Sequence, residues 1–222
     1  LTDKEIQAIP ICGPCARAKF TKRRLPRIPE QKLTAGSKIF TDMKGPIKIN
    51  GLNGERYYQG FLCAYSKFLV HKTFIKKSEA VKNLSEVINH ELYKGKLNRY
   101  HADGAPELIS KDICNLLLPA GATITYASPY TSTDNAAIER NHRTVFESAH
   151  AMIIAACLPI TFWTYAVAHA VYLYNLIPTN TGMGYVSPRF AAFGIVVDIG
   201  LEKTFGCNCW GIIPAQTREK GF

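Results

Sequence analysis

The sequence predicts an α/β protein in which a mixed five-stranded sheet carries helices on its faces. Three observations lead there. Three strand-like stretches follow one another closely after residue 37; helical and strand-like stretches then alternate; and two long helical stretches close the pattern. With 222 residues, 47% hydrophobic and 20% charged, the chain is long enough to bury one good core and is not of disordered composition.

Taken in order, residues 1–35 are basic, carry Pro10, Pro14, Pro26 and Pro29, and lack periodic hydrophobics. That suits the edge of a small module followed by a linker. From Ser37 the texture changes. Lys38 to Met43 reads as a strand closed by the Gly45-Pro46 turn, Tyr57 to Tyr65 follows the turn-forming Asn53-Gly54, and Phe68 to Ile75 makes a third strand. Short links between these three predict an antiparallel meander. Ser78 to Tyr93 places Val81, Leu84, Val87, Ile88 and Leu92 at helical spacing, with Ser78 as N-cap. Lys96 to His101 is a fourth strand ending at Asp103-Gly104, Ile109 to Leu118 a short helix stopped by Pro119, and Ala122 to Ala127 a fifth strand. After Ser128-Pro129-Tyr130, one helix starts near Asp134 and runs to Cys157; Pro159 opens another that ends before Pro178. No internal repeat interrupts this order, so residues 36–193 are expected to form the main domain and 194–222 the start of a C-terminal extension.

Ile160 to Ile177 is long enough to span a bilayer, and no Lys, Arg, Asp or Glu occurs from Ser148 to Pro188. Against a membrane span stand Thr161, Thr164, His169 and Asn175 inside it, and aromatic residues spread along it instead of gathered in end belts. A buried or partner-facing helix is the expectation, and no membrane partner. The seven cysteines are odd in number and scattered, which argues for a reducing intracellular compartment, nuclear or cytoplasmic. The chain opens at Leu1 in the middle of what reads as a motif, as a fragment of a longer polyprotein would.

The formal net charge is +10 and the pI about 9.3, which points to a polyanionic partner. The first fifty residues hold eleven Lys and Arg against four Asp and Glu, densest from Arg17 to Arg27. A basic run is as often a solvated face, so charge alone decides nothing.

Chemistry is carried by three acids on separate elements. Phosphodiester transfer through two metal ions needs carboxylates that converge from rigid elements. Asp42 lies in the first strand, Asp103 at the end of the fourth beside Gly104, and Glu139 near the start of a helix, with 35 residues between Asp103 and Glu139. Any one of them alone would be read as a turn former or a solvated side chain; the joint pattern is what matters.

That pattern resembles a known family. Phe40-Thr41-Asp42-Met43-Lys44-Gly45-Pro46 is similar to the first-aspartate motif of retroviral and retrotransposon integrases. His101-Ala102-Asp103-Gly104-Ala105-Pro106-Glu107 resembles the second, and Ser128-Pro129-Tyr130-Thr131 with Asn135 and Ile138-Glu139-Arg140-Asn141 resembles the stretch that delivers the third acid. Downstream, Phe162-Trp163, Ala166, Tyr172-Leu173-Tyr174-Asn175, Pro178, Ser187-Pro188 and Phe205-Gly206-Cys207 resemble copia-type LTR retrotransposon integrases. The resemblance implies an RNase H-like fold, Mg²⁺ or Mn²⁺ held by Asp42, Asp103 and Glu139, and processing and joining of DNA 3′ ends. It also implies a homo-oligomer acting on element ends and target DNA, for which exposed apolar residues between Ser148 and Pro188 are the expected interface. Rival readings are a catalytically decayed or domesticated DNA-binding fragment, or a related RNase H-like nuclease or transposase. The chain departs from the family pattern at Ser132-Thr133-Asp134, at Ala136 in place of Gly, and at Leu108 in place of an aromatic. Ala favours helix over Gly, so an earlier helix start is expected there.

Cys12-Gly13-Pro14-Cys15 suits half of a tetrahedral Zn²⁺ site. The resemblance places it in a His-His-Cys-Cys module whose histidines would precede Leu1, so Zn²⁺ is expected only in the full-length protein. DNA phosphates are expected on Lys19, Lys22, Arg23 and Arg24, with Asn135 contributing, and on Lys44, Arg140 and Arg143 beside the acids. Arg140 and Arg143 share a helix face with His142 beside them; Asp134 and Glu147 are the competing ion-pair partners. Such contacts position the backbone and predict weak target-sequence preference. Cys207-Asn208-Cys209 is read as part of a buried strand. His71, His90, His101, His150 and His169 lack metal-ligand spacing, and His101, the one near the acids, is taken as incidental.

Overall fold

The computed structural model describes residues 33–126 and 136–209. Five strands form one sheet in the order β3-β2-β1-β4-β5: β1 (Lys38–Lys44), β2 (Tyr57–Cys63), β3 (Leu69–Phe74), β4 (Arg99–Ala102) and β5 (Thr123–Tyr126). The first three make the expected antiparallel meander, while β4 pairs parallel to β1 and β5 parallel to β4. The sheet is mixed and RNase H-like. A two-residue hairpin serves an antiparallel pair, whereas a parallel neighbour needs a crossover, and here helices supply it.

Helices cover both faces. Below lie α1 (Ala80–Ile88) and α2 (Lys111–Leu117); above lie α3 (Ala136–Ala155) and α4 (Trp163–Leu176). The period-2 alternation of β2 divides its side chains between two cores. Phe61 and Cys63 join Ile39, Leu84, Tyr93, Tyr100 and Ile113 on one side, and Tyr58 and Leu62 join Ile138, Val145, Ala149, Trp163 and Val167 on the other. With both faces covered, β2 is buried almost continuously.

The structure shifts several expected boundaries. Helix α1 ends at Ile88, yet Leu92 and Tyr93 stay buried: the apolar repeat continues into a turn, where Leu92 N–H donates to His90 Nδ1 at 3.2 Å. Ser78 does not cap it. It lies inside a 3₁₀ turn, Lys77–Glu79, and the Glu79 carboxylate accepts from Ile75 and Lys76 N–H instead, at 3.2 and 2.8 Å. Ser110 does cap α2, accepting from Ile113 N–H. The helix expected from Pro159 is a 3₁₀ turn, Ile160–Phe162, running into the 14-residue α4; among the described residues no helix is long and apolar enough to cross a membrane.

Beyond α4 the structure adds a hairpin, β6 (Thr179–Thr181) with β7 (Gly184–Val186), and a short helix α5 (Pro188–Phe193) capped by Ser187. The Cys207-Asn208-Cys209 expectation is corrected: these residues are exposed and lie in no strand. Gly206, at φ +77°, turns the chain there, Cys207 N–H bonding back to Thr204 carbonyl, and no strand neighbours it. Phe205 instead packs its ring against His169 of α4, 5.7 Å between centroids.

Two side chains of α4 tie distant backbone. Asn175 Nδ2 donates to Leu69 carbonyl and its Oδ1 accepts from Leu69 N–H, both at 2.9 Å, satisfying groups of the edge strand β3. Trp163 Nε1 donates to Ile49 carbonyl at 3.0 Å, fixing the loop after β1.

Candidate active site

Asp42 and Asp103 are brought together by register. Thr41 pairs with Ala102 across the parallel β1–β4 ladder, so the two acids are the next residues on adjacent strand ends. Side chains two apart share a face. Phe40 and His101, two residues before each acid, meet edge-on at 5.4 Å between centroids, and Phe40 packs in the core under α3. Both acids therefore follow the α3 face. Glu139 stands in the first turn of α3, where a carboxylate is favoured by the helix dipole.

Each aspartate has one oxygen on backbone: Asp42 Oδ1 accepts from Met43 N–H at 2.7 Å, and Asp103 Oδ1 from Ala105 N–H at 3.2 Å. Asp42 Oδ2 lies 3.4 Å from Nδ1 of His142. A concavity of about 410 Å³ is lined by Asp42, Lys44, Glu139, His142, Arg143 and Glu147 among others; Asp103 is not among its lining residues. Lys44 lies over the Phe146 ring, 4.2 Å from Nζ to the centroid, which holds its charge beside the acids.

The electrostatics match. Burial raises the Asp42 acid to about 6, with the nearby charges of Asp103 and Glu139 adding to the rise and Met43 N–H and Lys44 opposing it. Burial, then Lys44, lowers His142 to about 4. The His142–Asp42 contact is thus that of a neutral imidazole at neutral pH and not an ion pair. Burial first, then Asp42, pushes the Tyr58 phenol far above its usual range.

These residues suit a divalent cation in chemistry. Carboxylates are the hard oxygen donors that Mg²⁺ and Mn²⁺ take, and the mutual repulsion felt by Asp42 is what such an ion would relieve. In arrangement they fall short: among the described residues no group of three or more His, Cys, Asp or Glu side chains is close enough to hold a metal ion.

The other expected site residues divide. Arg140 and Arg143 are exposed on α3, and among the described residues Arg143 does not pair with Glu147. Cys12, Cys15, Lys19, Lys22, Arg23, Arg24, Asp134 and Asn135 lie outside the described residues, as does the expected early start of α3. Glu107, in the second-aspartate stretch, pairs with Lys77, which also feels the charge of Asp103. Leu108 is fully buried, its carbonyl accepting from Tyr100 Oη. His101 packs inside the sheet, Nδ1 at 2.8 Å from Thr125 Oγ1. The histidine that reaches Asp42 is His142, which sequence reasoning passed over; its spacing of three from Glu139 on a helix was the available signal.

The chain is similar to three curated polyproteins. It is 26% identical over 212 residues to the retrovirus-related Pol polyprotein from transposon TNT 1-94 of Nicotiana tabacum, covering 94% of this chain. It is 27% identical over 171 residues to that from transposon RE1 of Arabidopsis thaliana, and 26% over 189 residues to that from RE2, covering 74% and 82% of this chain. In fold, it superposes on a chain of the simian T-cell lymphotropic virus intasome in complex with PP2A regulatory subunit B56 gamma. There the TM-score is 0.62 at 16% identity, over 94% of this chain and 69% of that one. In fold the chain is similar to retroviral integrase structures. Against the catalytic core domain of BIV integrase the TM-score is 0.51 at 17% identity, over 72% of this chain and 95% of that domain. No family model matches. The similarity is to the retroviral and retrotransposon integrases of the DDE superfamily and is consistent with the copia type. The chain spans only 16%, 11% and 12% of the length of the three polyproteins.

Proposed function

We propose that this integrase-like core binds DNA and that Asp42, Asp103 and Glu139 serve metal-dependent processing and joining of DNA 3′ ends. The observation that supports it is the register that sets Asp42 and Asp103 beside each other across β1 and β4, with Glu139 in the first turn of α3; burial first, and then the charges of Asp103 and Glu139, raise the Asp42 acid. Mg²⁺ or Mn²⁺, when bound, would activate the attacking oxygen and stabilise the leaving one. The chain's own contribution is to hold Asp42 from two sides and to present Lys44, Arg140 and Arg143 to DNA phosphates. Homo-oligomers on DNA are part of the proposal; Ile154, Tyr165, Tyr172 and Ile177 are apolar and exposed on the outer helices.

A second reading is favoured by one observation. The described carboxylates do not gather into a metal-holding group, and taken alone this favours a DNA-binding fragment that has lost catalysis. The two separate on one experiment: strand transfer and disintegration of a short labelled duplex in Mg²⁺ or Mn²⁺, native chain against Glu139→Gln, with DNA binding followed in parallel. Metal-dependent joining that vanishes in the variant supports the enzyme. DNA binding by both proteins with neither cutting nor joining supports the decayed fragment, and cutting without joining a related nuclease.

A further inference from the structure

We infer that Cys157 and Cys207 form a reversible disulfide that ties the chain beyond Gly206 to the turn between α3 and α4. The inference is independent of the integrase reading and of the three acids.

Three observations carry it. The first is a backbone contact. Gly206 abuts both neighbours of Cys157: a Cβ on it would stand 2.4 Å from Ala156 Cβ and 3.6 Å from Leu158 Cδ1. Glycine serves twice here, for its φ of +77° and for the close approach. Cys157 and Cys207 each lie one residue from that contact, a step of about 3.8 Å between Cα atoms. A disulfide spans about 4.4–6.8 Å between Cα atoms, so the contact sets the two cysteines at bridging scale. The second observation is exposure. Both thiols are free and exposed, whereas Cys63 is buried in the core as free cysteines usually are. The third is the conformation of Cys157. Leu158 N–H donates to Ile153 carbonyl and Cys157 N–H to Ile154 carbonyl, both at 3.1 Å, a Schellman turn that leaves Cys157 left-handed at φ 52°. Glycine is the usual occupant of that position. A side chain held there at a cost in backbone strain points to a use for its sulfur.

The chemistry needs only the two thiols and a low-molecular-weight disulfide. One protein thiolate attacks that disulfide and expels one small thiol; the second attacks the protein sulfur of the mixed disulfide and expels the other. Two electrons pass from the protein to the small disulfide, and the two thiol protons go to the leaving thiolates. Exposed bridges are the readily reduced kind, so this one follows the thiol poise around the protein. Closed, it gathers α4, the β6–β7 hairpin and α5 into one loop.

The test equilibrates the full reduced chain with mixtures of reduced and oxidised glutathione at neutral pH. Mass spectrometry of the unreduced digest then identifies the linked peptides. Cys157 linked to Cys207 is expected in the native chain and in Cys209→Ser, and absent from Cys157→Ser and Cys207→Ser. Because the fold holds the two sulfurs near each other, the link should form about 10-fold more favourably in the folded chain than in concentrated urea. By the same linkage the oxidised native chain should melt about 3–6 °C higher than the reduced one, with no such gain in Cys207→Ser. Only glutathione adducts at Cys157 and Cys207, or a link from either to Cys209, would overturn the pairing. Equal link formation in urea would overturn it too, since the fold would then contribute nothing. Strand transfer by the reduced chain tests the integrase reading separately.

Discussion

Asp42 is the residue at which stability and chemistry oppose each other. Its folded value of about 6 lies above the ordinary 3.8, so the fold favours the neutral acid. The stability this gives is fully present below the unfolded value and lost as pH rises through about 6. Asp42→Asn should therefore stabilise the chain at pH 8 by on the order of 1–2 kcal/mol while abolishing any metal-dependent activity, and the stability gain should shrink as pH falls through about 6 and close only below 3.8, by about pH 3. Thermal unfolding of both proteins at the two pH values measures it; a less stable variant at pH 8 would contradict the argument. His71 behaves in the opposite sense. Burial, then Lys72, depresses it from 6.5 to about 4, so its contribution is complete above 6.5 and lost as pH falls toward 4. His142 works in the same direction. His71→Phe should flatten the fall in melting temperature between pH 7 and pH 4.5, and an unchanged slope would show that His71 does not titrate in that window.

At the scale of elements, the pairing of α4 with β3 is the contact most open to measurement. Asn175→Leu removes both hydrogen bonds to Leu69 and strands a buried N–H and carbonyl, which should cost about 2–4 kcal/mol in chemical denaturation. Asn175→Asp, which retains only the acceptor, should fall between; equal stability of all three would refute the edge-capping role. Periodicity found the five strands and the main helices because their apolar residues repeat at 2 and 3.6. It could not see that Ser78 would lose its cap to Glu79, because that choice depends on which backbone amides are left free at the end of β3. The hairpin β6–β7 and α5 were missed for want of length, since three-residue strands have no period to read. The acids were legible from motif and spacing. The contact of His142 with Asp42 was only half legible: its spacing from Glu139 puts the two on one helix face, but nothing in the sequence says that this face meets β1.

For the molecule as a whole, charge sets the expected behaviour with DNA. A net charge of +10 predicts binding that weakens steeply with salt, and Lys44→Gln with Arg143→Gln should together lower the log–log salt slope by about 1 to 2 without altering sequence preference. Fluorescence anisotropy across a salt series measures it; an unchanged slope would remove these two residues from the DNA surface.

The long reach of Trp163 and Asn175 also sets a timetable. The bonds from Trp163 to Ile49 and from Asn175 to Leu69 join residues 114 and 106 positions apart. Contacts so distant along the chain are made late and slow folding. During synthesis the meander β1–β3 leaves the ribosome long before the helix that ties its edge strand and its first loop exists. Until α4 is made, those backbone groups are offered to any other strand within reach, and that interval lasts until about four-fifths of the described fold has been translated.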